Sequence, residues 1–449
     1  MRACLHLFKF LSLSRSFTPK MFGFSKQIRS CSSAPTDRSD QLRSFLELCM
    51  DRHYVSPGET NSDLFQRGLS CSYGPLGTEL RRNLLEQWWH SVTRGRGQVF
   101  GISTLSISQE QVGLQVVECE LVKQILDQHK SKEELIQEIQ LLLQRSPTVR
   151  TNLLTGALQQ FVPSLELVNR KLPFGLAETG LCFQSSAASG CSAEITQTSL
   201  VWFCSPRTSS QWLDHWTRQR LKWWKKFALS PSDFSSIEVP KQELEDAASR
   251  GVRILYNFPW GSEALETLWS RGNAELLREH KGARSKLQCR DGQKSVPHVV
   301  SISGNMDRGV MAFLSNSLQQ LKREEGRQKL QQRKVLKLHP VLAPVKVALN
   351  IGRGPAVELR QVCGGLLQEF LEAKIFTWPG YLETVPTSAE QQSAKYDEMG
   401  VLFSVVISEN TLENGLVQVR SRDTTIRETM HISELRNFLS RYISAAENI

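Results

Sequence analysis

The sequence predicts an α/β protein, from two stretches and the overall composition. In residues Val335 to Ile449, short β-branched runs alternate with helix-period runs, the pattern of a small α/β domain around a mixed sheet. From Val116 to Arg170 the apolar spacing is almost wholly helical. The 449 residues are 40% hydrophobic and 22% charged, ordinary for a globular protein of two or three domains. No apolar run approaches the roughly 20 residues needed to cross a bilayer. Even Leu5 to Leu13 is broken by His6 and Lys9, so no membrane partner is expected.

Residues 1–36 carry Arg2, Lys9, Arg15, Lys20, Lys26 and Arg29, many serines and no acid. This predicts a mitochondrial transit peptide and a matrix location; a basic disordered tail is the structural alternative. Removing those six charges takes the formal net charge from +10 to +4, so any nucleic-acid binding must come from local patches. The ten cysteines show no CxxC pair and no nearby His at ligand spacing. They read as small core residues or free thiols, with no metal expected.

Along the chain, Asp40 to Tyr54 is a short helix (Leu42, Phe45, Leu46, Leu48), followed by a polar loop at Pro57 and Gly58. After Gly77, the spacing Leu80, Leu84, Trp88, Val92, with Leu85 and Trp89, puts one broad apolar stripe on a helix. In the helical stretch, Ser131 and Glu134 form a capping box ahead of Leu135, Ile136, Ile139, Leu142 and Leu143. A second stripe follows at Leu153, Leu154, Ala157, Leu158 and Phe161. Such a hairpin cannot bury both faces alone. It either pairs with its twin in a two-fold bundle through Leu135, Ile139 and Leu142, or packs on its parent domain.

Pro206 to Phe227 interleaves Trp212, Trp216, Trp223 and Trp224 with Arg218, Arg220, Lys222, Lys225 and Lys226. Base stacking would use such a mixture, but the helical spacing of the tryptophans favours core aromatics with a solvated basic flank. Leu229 to Gly251 reads as a loop or disordered insertion. Lys281 to Lys294 and Leu318 to Lys334 each carry a formal net charge of +4. Either run is a solvated linker face or a sequence-independent grip on nucleic acid, with Lys286, Arg290, Lys294, Lys322, Arg323 and Arg327 as the phosphate contacts. In the last domain a strand Pro344 to Ile351 leads to a helix Val357 to Glu372. A strand then ends at Trp378 to Glu383, and a helix runs through Lys395 to Gly400. Next come the strand Val401 to Ile407, a hairpin turn at Asn414-Gly415, the strand Leu416 to Arg422 and a helix from Ser433.

Three segments carry a resemblance: SYGPLGTELRRNLLEQWW (Ser72 to Trp89), GLAETGLCFQSS (Gly175 to Ser186) and SISGNMDRGVMAFL (Ser301 to Leu314). They resemble the three ordered motifs of the class II aminoacyl-tRNA synthetases, glycyl type. The resemblance implies an antiparallel-sheet core with a helical insertion, and a first-motif helix on a dimer interface; burial of that helix against its own sheet is the alternative. Where the family carries Phe-Arg-Asn-Glu, this chain has Phe183, Gln184, Ser185 and Ser186. A neutral Gln and a short hydroxyl replace neither the charge that holds the α-phosphate of ATP nor the acid. Arg308 stands where the family's arginine clasps the γ-phosphate and is expected to pair with Asp307 or another acid. His298 reads as a core or loop histidine rather than a base.

The terminal segments LAPVKVAL, KYDEMG and LENGLVQVRSRDT resemble the anticodon-binding domain of glycyl, prolyl and histidyl synthetases. The expected division is 1–36 transit peptide, 37–334 synthetase-like domain with its insertion at about 116–170, and 335–449 anticodon-binding-like domain. The strings LVWFCSPRTSSQWLDHW, YNFPWG, LHPVLAPVKVALNIGRGP, WPGYLET and SRDTT are similar to the accessory-subunit family of animal mitochondrial DNA polymerase. That likeness implies a homodimeric, non-enzymatic processivity factor of the mitochondrial nucleoid, without cofactor, whose partners are double-stranded DNA and the catalytic subunit. The polymerase contact is expected at Gly415, Arg420 and Arg422. A working glycyl-type synthetase or a tRNA-binding relative is the alternative.

Overall fold

The computed structural model describes residues 38–57, 67–94, 98–108, 114–127, 131–185, 192–291, 293–323, 331–384 and 388–447. Helix α1 (Arg38–Asp51) buries Leu42, Phe45, Leu46 and Leu48. Helix α2 (Pro75–Thr93) starts on Pro75, which has no N–H to leave unpaired in the first turn. Its stripe Leu80, Leu84, Trp88 and Val92 is wholly buried in the chain's own core, leaving Leu85 and Trp89 half-buried at its side.

Strand β1 (Val99–Gly101) follows, then the short β2 (Ile107–Ser108) and β3 (Leu114–Gln115), the helix pair α3 (Cys119–Leu126) and α4 (Lys132–Arg145), and β4 (Thr148–Val149). Strands β2, β4 and β3 form a small sheet from which the helix pair extends. The predicted capping box is formed: Glu134 N–H donates to Ser131 Oγ, and Ser131 N–H to Glu134 Oε2. The second stripe, on α5 (Leu154–Gln159) and α6 (Phe161–Leu167), packs on the parent domain, where Ala157, Leu158, Phe161 and Leu165 meet Phe174 and Phe203.

Next come β5 (Phe174–Ser185), β6 (Ser192–Cys204), helix α7 (Ser209–Lys226), β7 (Phe234–Glu238), β8 (Arg250–Phe258) and β9 (Gly261–Ser270). Short helices α8 (Ala274–Glu279) and α9 (Arg284–Leu287), a hairpin of β10 (Cys289–Asp291) and β11 (Gln293–Ser295), β12 (His298–Asn305) and helix α10 (Met306–Ser317) complete this half. Seven strands form one sheet in the order β1-β5-β6-β12-β9-β8-β7, antiparallel except for β1 beside β5. The segment Leu229 to Gly251 is therefore no mere loop. Within it β7 is the sheet's edge strand, hydrogen-bonded on one side only and exposed after Phe234, so its sequence stays polar. The tryptophans of α7 are core residues, as their spacing predicts: Trp216, Trp223 and Trp224 are buried. Arg220 departs from the expected solvated flank, lying 2% exposed against Glu266 of β9.

The basic segment after α10 is a hairpin, β13 (Leu318–Arg323) with β14 (Gln331–Leu336), rather than a linker. Beyond it stand β15 (Val347–Ile351), α11 (Ala356–Glu372), β16 (Thr377–Trp378), α12 (Ala389–Glu398), β17 (Phe403–Ile407), α13 (Glu409–Asn414), β18 (Leu416–Ser421), β19 (Arg427–His431) and α14 (Ile432–Glu447). The sheet order is β16-β15-β17-β18-β19, parallel among the first three and antiparallel among the rest, which is the mixed sheet expected. The Asn414-Gly415 hairpin is corrected. The β17 to β18 connection contains a helical turn, and Gly415 caps it at φ 67° with its N–H donating to Thr411 O. Positive φ, the feature that selects glycine, is present; the two-residue turn is not. One apolar core runs from α1 and α2 through the seven-stranded sheet into the five-stranded one.

Candidate functional site

The second and third motif segments border a cleft of about 340 Å³ lined by Asn152, Gln184, Gln197, Arg271, Glu275 and Ser301 among others, while the first-motif helix α2 packs with Leu200, Trp202, Val300 and Ile302 on the other side of these strands. Buried Gln197 spans the cleft floor, with Nε2 donating to Ser303 Oγ at 2.9 Å and Oε1 accepting the Leu153 N–H at 3.1 Å. Arg271 is used by the protein itself: it donates to Ser301 Oγ at 2.7 Å and to Glu275 at 3.1 Å, and it pairs with Glu245. On β5, Glu178 is buried and bound by Thr104 and by Arg150 at 3.1 Å. Gln184 is exposed at the rim. Ser186 lies outside the described residues.

Arg308 meets an acid other than Asp307, the second of its two expected outcomes. It donates to Gly68 O at 3.1 Å and Ala264 O at 3.0 Å and lies 3.6 Å from Glu263. Asp307 is engaged elsewhere, accepting from Thr196 N–H at 2.6 Å and Tyr73 O–H at 2.9 Å. Burial pushes the Asp307 carboxyl above its ordinary pKa against these stabilising bonds, and Tyr73 is pushed well up by burial and the same acid. His298 opens β12, and burial lowers its pKa, as suits a histidine of the fold. Arg271 and Arg308 are thus committed to protein oxygens, whereas Arg278 is exposed at the cleft beside the carboxylates Glu245, Glu275 and Glu279.

Of the expected phosphate contacts, Lys286 on α9 and Arg290 on β10 are exposed. Lys294 stands on β11 directly across the hairpin from Arg290. Lys322 and Arg323 end β13, on a different hairpin, and Arg327 lies outside the described residues. In the same run, Lys334 and Arg333 turn inward, to Ser44 and Asp397. Sequence reasoning missed that Arg170 and Lys171 join the first basic run: Arg290 N–H donates to Arg170 O at 2.7 Å, and Lys171 bridges Arg290. Nothing local in the sequence signals that meeting.

The expected polymerase contact is corrected at two of its three residues. Arg420 is buried in a bidentate pair with Asp397 at 2.9 and 3.0 Å. Arg422 donates to the carbonyls of Leu336, Leu338 and Gly400. Both lie on or just after β18 at positions whose side chains enter the core; Arg420 ties α12 to β18, and Arg422 ties the end of β14 and the turns after β14 and α12 to the sheet. Near Gly415 the exposed apolar residues are Leu412 and Leu416. On the helix pair, Ile136, Ile139, Leu141 and Leu143 are exposed, and Leu135 and Leu142 are half-buried.

Residues 343–442 match the model of the anticodon binding domain family. A glycine–tRNA ligase of Thermus thermophilus is 28% identical over 316 residues, 63% of this chain and 61% of that protein. The fold is thus that of the glycyl-type class II synthetases. Identity is higher to the DNA polymerase subunit gamma-2 of Mus musculus, 49% over 420 residues, covering 90% of this chain and 91% of that protein. The mitochondrial DNA polymerase subunit gamma-2 of Xenopus laevis is 47% identical over 416 residues, 90% of this chain and 88% of that protein. The chain belongs to the DNA polymerase subunit gamma-2 family.

Proposed function

We propose that this chain is a non-catalytic subunit of the mitochondrial DNA polymerase, a homodimer that binds duplex DNA and the catalytic subunit and raises its processivity. The observation that carries the reading is the 49% identity to the mouse subunit across nine tenths of both chains. A non-enzymatic role is supported by the neutral Gln184 at the cleft rim and by Arg271 and Arg308, which are held by protein carboxylates and carbonyls. Residues 1–36 act as the transit peptide that takes the chain to the matrix nucleoid, 37–334 form the synthetase-like domain and 335–449 the anticodon-binding-like domain. Duplex DNA is gripped through Lys286, Arg290, Lys294, Lys322, Arg323 and Arg327, by phosphate contacts indifferent to base sequence. The dimer forms through Leu135, Ile139 and Leu142 of the helix pair, whose apolar residues face water in a single copy. The corner at Gly415 docks on the catalytic subunit through exposed Leu412 and Leu416.

The test is primer extension by the catalytic subunit at moderate salt. Products lengthen when this protein is added; no lengthening overturns the assignment. A glycyl-type synthetase or tRNA-binding relative is the second reading, favoured by Arg308 and the anticodon-binding domain. It predicts glycine-dependent ATP–pyrophosphate exchange. Loss of one preorganised charge-stabilising group costs on the order of a hundredfold to a thousandfold in rate, so exchange at background is the expected result.

A further inference from the structure

Two segments far apart in sequence share one cationic ledge. The turn after α6 carries Arg170 and Lys171, and the run from α8 to β10 carries Lys281, Arg284, Lys286 and Arg290. They are joined by the Arg290 N–H bond to Arg170 O and the bridge of Lys171 with Arg290. The Arg170 guanidinium also donates to Gln288 O at 3.1 Å and to Lys286 O at 3.4 Å, so it braces the backbone that presents Lys286 and Arg290.

Two features mark the ledge as more than a solvated face. Among the described residues none of these six cations forms an ion pair, and the neighbouring acids Glu166 and Glu279 pair with none of them. Asn169, Arg170 and Lys281 hold φ of 53°, 59° and 50°, a left-handed backbone found in only a few per cent of non-glycine residues. Such conformations cost free energy and persist where the surroundings fix them. The fold thus holds together cations without acidic partners, whose charge an anionic ligand would neutralise.

We propose that Lys171 is a phosphate contact of the duplex-binding surface and that Arg170 is its positioning residue, aligning Lys286 and Arg290 by gripping the carbonyls between them. This rests on the DNA-binding reading above and extends the surface beyond the basic run visible in sequence. The partner is the sugar–phosphate backbone of a nucleic-acid duplex.

The experiment titrates the full chain against a labelled DNA duplex, in two unrelated sequences, by fluorescence anisotropy from about 0.05 to 0.2 M salt. Each lost phosphate contact makes the log–log salt slope shallower by about 0.9, which lowers affinity about eightfold at 0.1 M salt. Lys171→Ala shows that loss equally for both sequences, and Lys171→Arg restores binding. Arg170→Lys, which keeps the charge but not the planar fork, weakens binding. Adding Arg290→Ala to it costs less than Arg290→Ala alone, because the two act through one contact. Wild-type affinity and slope in Lys171→Ala, alongside loss in Lys286→Ala/Arg290→Ala, overturn the ledge and leave the DNA-binding reading standing. Strict additivity of Arg170→Lys and Arg290→Ala overturns the positioning role. Absence of duplex binding by the wild type overturns both readings.

Discussion

Replacing Arg220 with Met should be among the most damaging single changes in this chain. The guanidinium is 2% exposed and lies over the ring of Trp223 at 4.4 Å. It donates to Glu266 Oε1 at 2.8 Å and Oε2 at 3.0 Å, and to Ser91 Oγ at 2.9 Å. Glu266 is 1% exposed; its other donor is Trp88 Nε1 at 3.2 Å. Removing the arginine leaves a carboxylate in the core with one neutral donor. Breaking a buried pair in this way costs about 3–5 kcal/mol, chiefly through the unpaired charge. The lost contact with Trp223 adds on the order of 1 kcal/mol. The partner change Glu266→Gln should cost a similar amount, whereas Arg220→Met with Glu266→Leu should recover most of the loss, because no charge stays buried. The assay is the denaturant midpoint of the three variants at neutral pH, followed by tryptophan fluorescence. A single mutant within about 1 kcal/mol of wild type, or a double mutant worse than either single, refutes the argument.

Other expectations follow from particular residues. Burial, then the charges of Lys226, Lys346 and Arg422, lower the His339 pKa from 6.5 to about 4, and its Nδ1 accepts the Val341 N–H at 3.3 Å. Because the folded form excludes a proton that the unfolded chain takes up, this contribution is full above pH 6.5 and is lost as pH falls towards 4. It is worth at most about 3 kcal/mol, and His339→Gln should flatten the stability profile in that window on urea titration. At Gly415 a Cβ would stand 2.4 Å from His431 Nε2 on a backbone at φ 67°. Gly415→Glu should therefore cost about 1–2 kcal/mol from the backbone alone and shorten primer-extension products, while duplex binding persists; full-length products would place the docking corner elsewhere. Ile139→Asp with Leu142→Asp should give a folded monomer by light scattering, and a persisting dimer would move the interface off the helix pair.

The sequence by itself determined what depends on neighbours along the chain. The capping box at Ser131, the stripe on α2 and the core tryptophans of α7 are periodic or short-range signals, and each stands where its spacing put it. The alternation of strand and helix likewise predicted the mixed sheet of the last domain. Tertiary structure decided what depends on partners far away in sequence. Arg220 looked like one more cation of a basic helix until Glu266, on another strand, drew it into the core. Arg420 and Arg422 turned inward for the same reason, since Asp397 and the carbonyls of β14 and the nearby turns supply acceptors that no local pattern announces. β7 was hidden because a one-sided edge strand needs few apolar residues. Charge runs show where cations are; only the fold determines which are neutralised within it and which, like Lys171, Lys286 and Arg290, remain facing water.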